Sequence, residues 1–191
     1  ATKTALQTLP NDVLNNLDVL VNNAGLALGL EPADKTDFAD WQQMVNTNIL
    51  GLIHLTHEIL PSMVANNDGY IINLSSTAGN YPYFGGNVYG ATKAFVTQFS
   101  LNLRADLVGK NIRVSNIEPG LCGGTEFSNI RFHGDDAKAA QVYDSVQYVT
   151  PQDIANMVAW LIEQPKHVNI NRIEVMPTAQ TFAGLKVVKD L

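Results

Sequence analysis

Tyr89 and Lys93 stand four residues apart in a segment of helical periodicity, so both side chains leave one face within reach of each other. A free phenol, with a pKa of about 10, is a poor proton donor at neutral pH. A neighbouring ammonium favours the phenolate, and the spacing therefore predicts a Tyr89 pKa drawn down toward the working range, an acid in one direction and a base in the other. Ser76, thirteen residues before Tyr89 and just past a strand-like run, can hydrogen-bond the same substrate oxygen and steady the charge developing there. Asn48, the polar member of an apolar helical stripe, can hold a water that passes protons to Lys93. Such a set suits interconversion of a carbonyl and an alcohol.

The elements that must position these groups follow from patterning. Leu17 to Val21 is a short branched apolar run stopping at Asn22-Asn23-Ala24-Gly25, the pattern of a fully buried parallel strand ending in a turn. From Asp40 on, Trp41, Met44, Val45, Asn48, Leu52, Leu55 and Ile59 recur at steps of three and four, one stripe of a single long helix. Tyr70 to Leu74 reads as a second buried strand, with Ser75 to Gly79 as the loop beyond its carboxyl end. A helix from Tyr89 to Leu107 turns Val96, Phe99, Leu103 and Leu107 to the sheet, while Ala91 and Phe95 form a second apolar patch that can meet a partner. Ile112 to Ile117 is a third strand, halted by Pro119-Gly120. Thr150-Pro151-Gln152-Asp153 opens a helix running to about Glu163, and Ile173 to Met176 is a last strand.

Strands alternating with amphipathic helices predict an α/β fold, a doubly wound, Rossmann-like parallel sheet in three αβα layers, with residues 1–191 as one domain. The one long irregular stretch begins at Leu121 and runs to about Asp136. A connection of that length in a compact domain is usually a binding loop, and 121–147 reads as a lid over the substrate.

In order and spacing, Asn22-Asn23-Ala24-Gly25, Asn48-Ile49-Leu50-Gly51, Ser76, Tyr89-Gly90-Ala91-Thr92-Lys93 and Pro119-Gly120 resemble the short-chain dehydrogenase/reductase family. From Asn22 to about Gly184 the chain is similar to one branch, the NADP-dependent 3-hydroxy acid dehydrogenases, known also as serine or L-allo-threonine dehydrogenases and malonic semialdehyde reductases. The branch marks are Asn22 to Gly29, Gly85-Gly86-Asn87-Val88-Tyr89 and Glu118 to Asn129. A lone Tyr-x-x-x-Lys is weak evidence; five ordered motifs are strong.

By matching position, the resemblance implies Tyr89 as catalytic acid/base, Lys93 on the nicotinamide ribose and lowering the Tyr89 pKa, Ser76 as oxyanion partner and Asn48 as the relay residue. It implies cofactor contacts from Asn23, Ala24 and Gly25, and a loop of Pro119, Gly120, Leu121, Cys122, Gly123, Gly124, Thr125, Glu126 and Phe127 around the nicotinamide end. Thr125 would reach its amide or phosphate, although it stands one position further from Pro119-Gly120 than in most of the family. NADP is the cofactor on the branch resemblance alone; NAD is not excluded by the residues. A homotetramer is implied by the family as well. One departure is large. The family opens with a strand, a glycine-rich turn and a phosphate-binding helix, whereas no glycine precedes Gly25 here. The expectation is an N-terminally incomplete domain lacking its first strands and helices, about 50 to 60 residues.

Composition excludes several classes. The 191 residues are 46% hydrophobic and 16% charged, too apolar for disorder. Twelve Lys plus Arg against eighteen Asp plus Glu give a net charge of -6 with no basic run, so nucleic acid is a poor partner. No apolar stretch approaches the roughly eighteen residues of a membrane span, and the single Cys122 fits a reducing compartment, with the cytoplasm expected. Plainer readings stand beside the sharp ones. Cys122 is better read as space-filling than as reactive, Trp41 and Trp160 as core, and His54 and His57 as no metal site. Arg131 can receive a substrate carboxylate; like His133 it is equally an ordinary loop residue. The expected activity is hydride transfer between NADP and a small 3-hydroxy acid such as serine, L-allo-threonine or 3-hydroxypropionate. The rivals are a reductase of another ketone or acyl substrate, and a shortened non-catalytic relative serving as an assembly subunit.

Overall fold

A computed structural model describes residue 6 and residues 8–182. A short helix α1 (Asn11–Asn15) leads into β1 (Val19–Asn22), α2 (Phe38–Val45), a π-helical segment (Asn46–Gly51) and α3 (Leu52–Asn66). Then follow β2 (Gly69–Leu74), a 3-10 turn (Thr77–Gly79), α4 (Asn87–Asp106), β3 (Ile112–Pro119), α5 (Phe127–Arg131), α6 (Asp136–Gln141), α7 (Pro151–Glu163) and β4 (Arg172–Val175). The four strands among the described residues pair in parallel in the order β1-β2-β3-β4, with Val21 opposite Ile72, Ile72 opposite Ser115 and Ile117 opposite Ile173.

Side-chain alternation along the strands builds the expected three layers. Leu20, Ile71, Ile112 and Val114 face Ile59 and Met63 of α3, Leu103 of α4 and Leu107 at the end of α4. Tyr70, Ile72 and Ile117 face Leu161, with Ile154, Met157 and Val158 of α7, on the other side. The helix ends match their sequence signals: Thr150 and Asp153 form a reciprocal capping box on α7, and Asp37 accepts from Ala39 N at the start of α2. Among the described residues no helix is long and apolar enough to cross a membrane.

Four expectations change. The strand predicted from Leu17 spans Val19–Asn22 and is half-buried rather than fully so, since it is the sheet edge among the described residues and leaves Val21 38% exposed. The single long helix from Asp40 is two α-helices joined by a π turn. Its stripe survives, because the wider turn keeps Met44, Asn48, Leu52 and Ile59 all on the buried side. Trp160 is not core: it is 48% exposed on the outer side of α7, while Trp41 is half-buried and donates to Asn87 Oδ1 at 3.1 Å. The stretch from Leu121 is not wholly irregular either, as α5 and α6 lie within it.

Two glycines let the loop after β2 lie directly on α4. A Cβ on Gly79 would come within 2.7 Å of Ala94 N and 2.8 Å of Lys93 C, and one on Gly90 within 2.9 Å of Ala78 O. Neither neighbour can yield, because both are backbone. A Gly79→Ala substitution is therefore expected to cost roughly 1–3 kcal/mol in urea unfolding, the usual range for overpacking; an unchanged midpoint would contradict this close approach.

Candidate active site

Beyond the carboxyl ends of β1, β2 and β3 lies a cavity of about 640 Å³, where open α/β sheets hold ligands. Its lining brings together Asn23, Gly25, Ser76, Tyr89, Lys93, Thr125, Phe127 and Arg131 together with Pro119, Gly120, Leu121 and Cys122. Ala24, Gly123, Gly124 and Glu126 do not line it. Gly123 is instead packed beneath the rings of Tyr143 and Tyr148, and Gly124 takes a left-handed φ of 75°.

Helical spacing puts Tyr89 and Lys93 on the buried face of α4, at 7% and 6% exposure. Lys93 Nζ donates to Leu74 O at 2.9 Å, and Ser75 Oγ donates to Lys93 O at 2.7 Å, so the end of β2 and the helix hold each other. Asn48 is 1% exposed. Its Nδ2 donates to Leu26 O at 2.8 Å and to Thr92 Oγ1 at 3.0 Å, and its Oδ1 accepts from Leu26 N at 2.9 Å. Both amide hydrogens are spent, so any water between Asn48 and Lys93 must donate to the second lone pair of Oδ1. A Cβ on Gly25 would stand 3.1 Å from Lys93 Nζ and 3.4 Å from Asn48 Oδ1, which is why the smallest residue occupies that floor.

Ser76 Oγ accepts from Ala78 N at 3.1 Å as cap of the 3-10 turn and donates to Pro119 O at 3.2 Å. To donate to a ligand the hydroxyl must rotate off Pro119. Arg131 donates through Nε to Gly29 O at 3.2 Å and through an Nη to Tyr83 Oη at 2.6 Å, with its guanidinium 5.5 Å from the Tyr89 ring centre. Gly29 N returns a bond to Arg131 O at 2.8 Å, so this residue clasps α5 to the segment after β1. His133 faces Asp40 at 3.2 Å on the outside.

The electrostatics reverse one expectation. Burial pushes the Tyr89 phenol up to about 12, with the Tyr83 ring adding to the rise and Ser76 and Arg131 opposing it. Lys93 does not pull it down, because its Nζ is turned to Leu74 O and lies 5.9 Å from the phenol ring centre. The same desolvation lowers Lys93 itself to about 8. Cys122 is half-buried with its thiol pushed up by burial and by Asp153, in keeping with a space-filling residue.

Patterning missed Tyr81, Tyr83, Tyr143, Gln180 and Phe182 on the cavity wall. Tyr81 and Tyr83 carry a signal in retrospect, being aromatic residues in a glycine-bearing loop between Ser76 and Tyr89. Gln180 carries none; it arrives from 59 residues away to accept from Leu121 N at 2.7 Å.

The cavity fits the nicotinamide and ribose end of a dinucleotide. Gly25 and Gly120 line it without side chains of their own, and Lys93 has two N–H donors beyond the one given to Leu74. Comparison with known proteins agrees. A family profile described as short chain dehydrogenase matches residues 1–135. A probable NADP-dependent dehydrogenase of Haemophilus influenzae is 70% identical over 190 residues, 100% of this chain and 75% of that protein. The NADP-dependent 3-hydroxy acid dehydrogenase YdfG of Shigella flexneri is 58% identical over 182 residues, 95% of this chain and 73% of that one. Among solved structures, the closed form of serine dehydrogenase complexed with NADP+ matches at a TM-score of 0.96 and 56% identity, covering 100% of this chain and 76% of that one.

Burial of Lys93 has a signed consequence for stability. Its folded pKa of about 8 lies below the unfolded value of 10.5, so between them the unfolded chain binds the extra proton and stability rises with pH. Relative to Lys93→Met, the parent protein should gain roughly 2 kcal/mol in urea unfolding between about pH 7.5 and about pH 9.5. Parallel profiles for the two proteins would show that Lys93 is not desolvated.

Proposed function

This chain belongs to the short chain dehydrogenase family, and on that premise we propose that it transfers a hydride between NADP and a small 3-hydroxy acid, interconverting the acid with its 3-oxo form. The observation that carries the reading is the convergence of Ser76, Tyr89, Lys93 and Arg131 on one cavity. Among the described residues, the charged side chains on that cavity wall are Lys93 and Arg131, both cationic, which suits an anionic substrate. Serine, L-allo-threonine and 3-hydroxypropionate are the candidate acids.

NADP supplies or takes up the hydride when bound, with Asn23, Gly25, Lys93 and the Pro119–Phe127 loop as the residues that would hold its nicotinamide end. Tyr89 performs the proton step. With burial holding its pKa near 12, the phenol is fully protonated at neutral pH and stands loaded as the acid for reduction. As negative charge grows on the substrate oxygen, Ser76 Oγ turns from Pro119 O and donates to it, and the Tyr89 hydroxyl donates from the other side. The phenolate left behind is stabilised by Ser76 and Arg131, and Asn48, behind Lys93, closes the relay that restores its proton. Arg131, aligned by Tyr83 and Gly29, receives the substrate carboxylate.

Residues 121–147 act in this proposal as a lid, for which the clasp between Arg131 and Gly29 is the support. The proposal also takes in a cytoplasmic homotetramer. The exposed side of α4, where Phe95 stacks on Phe99 at 5.8 Å and 8°, supports a partner surface there.

One kinetic experiment separates the roles. With malonic semialdehyde and NADPH, Tyr89→Phe should lower kcat by roughly 10²–10⁴-fold with an unaltered unfolding curve. Arg131→Leu should raise KM for malonic semialdehyde about 10-fold or more while changing turnover of propanal, which has no carboxylate, far less. Turnover retained by Tyr89→Phe would sink the mechanism, and equal losses on both aldehydes would remove Arg131 as the carboxylate receptor.

A further inference from the structure

Glu118 lies in the sheet layer, with its side chain fully buried, between the two loops that furnish the site. Its carboxylate is saturated with donors. Oε1 accepts from Asn116 Nδ2 at 2.6 Å and from Arg172 Nε at 2.7 Å, with Thr97 Oγ1 beside it at 3.4 Å. Oε2 accepts from Asn80 Nδ2 at 2.6 Å and from Arg172 Nη2 at 2.7 Å. A bidentate guanidinium therefore holds it in one orientation. The Arg172 side chain is 42% exposed, and an ion pair with one partner in water adds little to stability, so the burial of the carboxylate asks for an explanation in position rather than in strength.

The partners supply one. Glu118 is joined directly to Pro119, and so to the loop that closes the nicotinamide end of the cavity. Asn80 ends the 3-10 turn that Ser76 caps, and the same Nδ2 also donates to Glu174 Oε2 at 3.0 Å, fastening that turn to β4. Thr97 bonds Ser75 Oγ at 2.9 Å, the hydroxyl that donates to Lys93 O. The two loops meet again at the chemistry, where Ser76 Oγ donates to Pro119 O.

We propose that the Glu118–Arg172 pair is a positioning device for the reaction: one buried carboxylate sets the Pro119–Leu121 loop and the Ser76 turn in a fixed relation, so that the nicotinamide face and the oxyanion donor share a single frame. Neither Glu118 nor Arg172 lines the cavity; they act through Pro119, Asn80 and Ser76. The inference rests on the oxidoreductase reading above.

The test compares the parent chain with Glu118→Gln, Asn80→Ala and Arg113→Met. Arg113 donates to carbonyls at the end of α7 from the opposite end of β3, and its variant controls for lost stability alone. Dissociation constants are measured for NADPH and for 2′-phospho-ADP-ribose, which lacks the nicotinamide, alongside kcat with malonic semialdehyde and urea unfolding. Glu118→Gln puts an amide hydrogen against Asn116, Asn80 or Arg172 and should weaken NADPH about 10-fold while the fragment stays within about 2-fold. Asn80→Ala frees the Ser76 turn alone and should lower kcat about 10-fold with NADPH affinity within about 2-fold. Arg113→Met should lower the unfolding midpoint and leave both readouts at the parent values. If Glu118→Gln does not fold, the kcat of Asn80→Ala decides. The proposal is overturned if the variants lose stability but keep the parent kcat and the parent ratio of NADPH to fragment affinity, or if NADPH and fragment weaken together. A parent chain that fails to bind NADPH at all would instead strike the functional reading.

Discussion

An ammonium buried at the centre of the molecule, with a backbone carbonyl as its fixed partner, is the constraint that the rest of the site answers to. Lys93 is 6% exposed and gives one hydrogen bond to Leu74 O, while removal from water costs a cation several kcal/mol. Its surroundings follow from that placement. The floor above it must be Gly25, the strand beneath it must end at Leu74 so that a carbonyl is free, and Asn48 must stand near enough to share the polar space. Tyr89, one turn earlier on the same face, is buried by the same walls. Desolvation therefore acts on both groups at once, raising the phenol and lowering the amine.

The molecule is stratified along its strands in consequence. Toward their amino ends the sheet is sealed on both sides by aliphatic side chains from α3, α4 and α7. Toward their carboxyl ends the same strands present a polar row, with Asn22, Asn73 and Asn116 in register across β1, β2 and β3. Asn22 donates to Asn73 and Thr56, Asn73 to Ser100, and Asn116 to Thr97 and Glu118. This polar layer lies beneath the cavity that Ser76, Tyr89 and Lys93 line. Glu118 and Arg172 lie at its far end, and among the described residues Lys93 and Glu118 are buried charges of opposite sign.

How much was legible in the sequence follows from the range of the forces involved. The order of the four strands, the helices α4 and α7, the Thr150 cap and the shared face of Tyr89 and Lys93 are local properties of spacing, and they read through directly, whereas α5 and α6 did not. So does the association of Ser76 with Tyr89, since both are fixed by where one strand stops and the next helix starts. The direction of the Tyr89 shift was not legible, because proximity in a helix says nothing of which way Nζ turns or how dry the pocket is. The π turn at Asn46 likewise leaves hydrophobic periodicity nearly intact, and Trp160, a large apolar residue next to Leu161, reads as core although its own position on α7 faces outward. Gln180 and Arg172 were silent for a simpler reason. Each acts on a partner more than fifty residues away, through contacts that only the folded sheet creates.

The central claim is that burial, not the nearby ammonium, sets the protonation of the Tyr89 phenol before any ligand binds. Carbon-13 NMR of the chain labelled at the tyrosine ζ carbon, with the Tyr89 signal identified by its loss in Tyr89→Phe, measures this directly. At about pH 10, where exposed tyrosines are half ionised, the account predicts that Tyr89 still gives the signal of the neutral phenol. A Tyr89 signal that titrates with the exposed tyrosines, or below them, would contradict it.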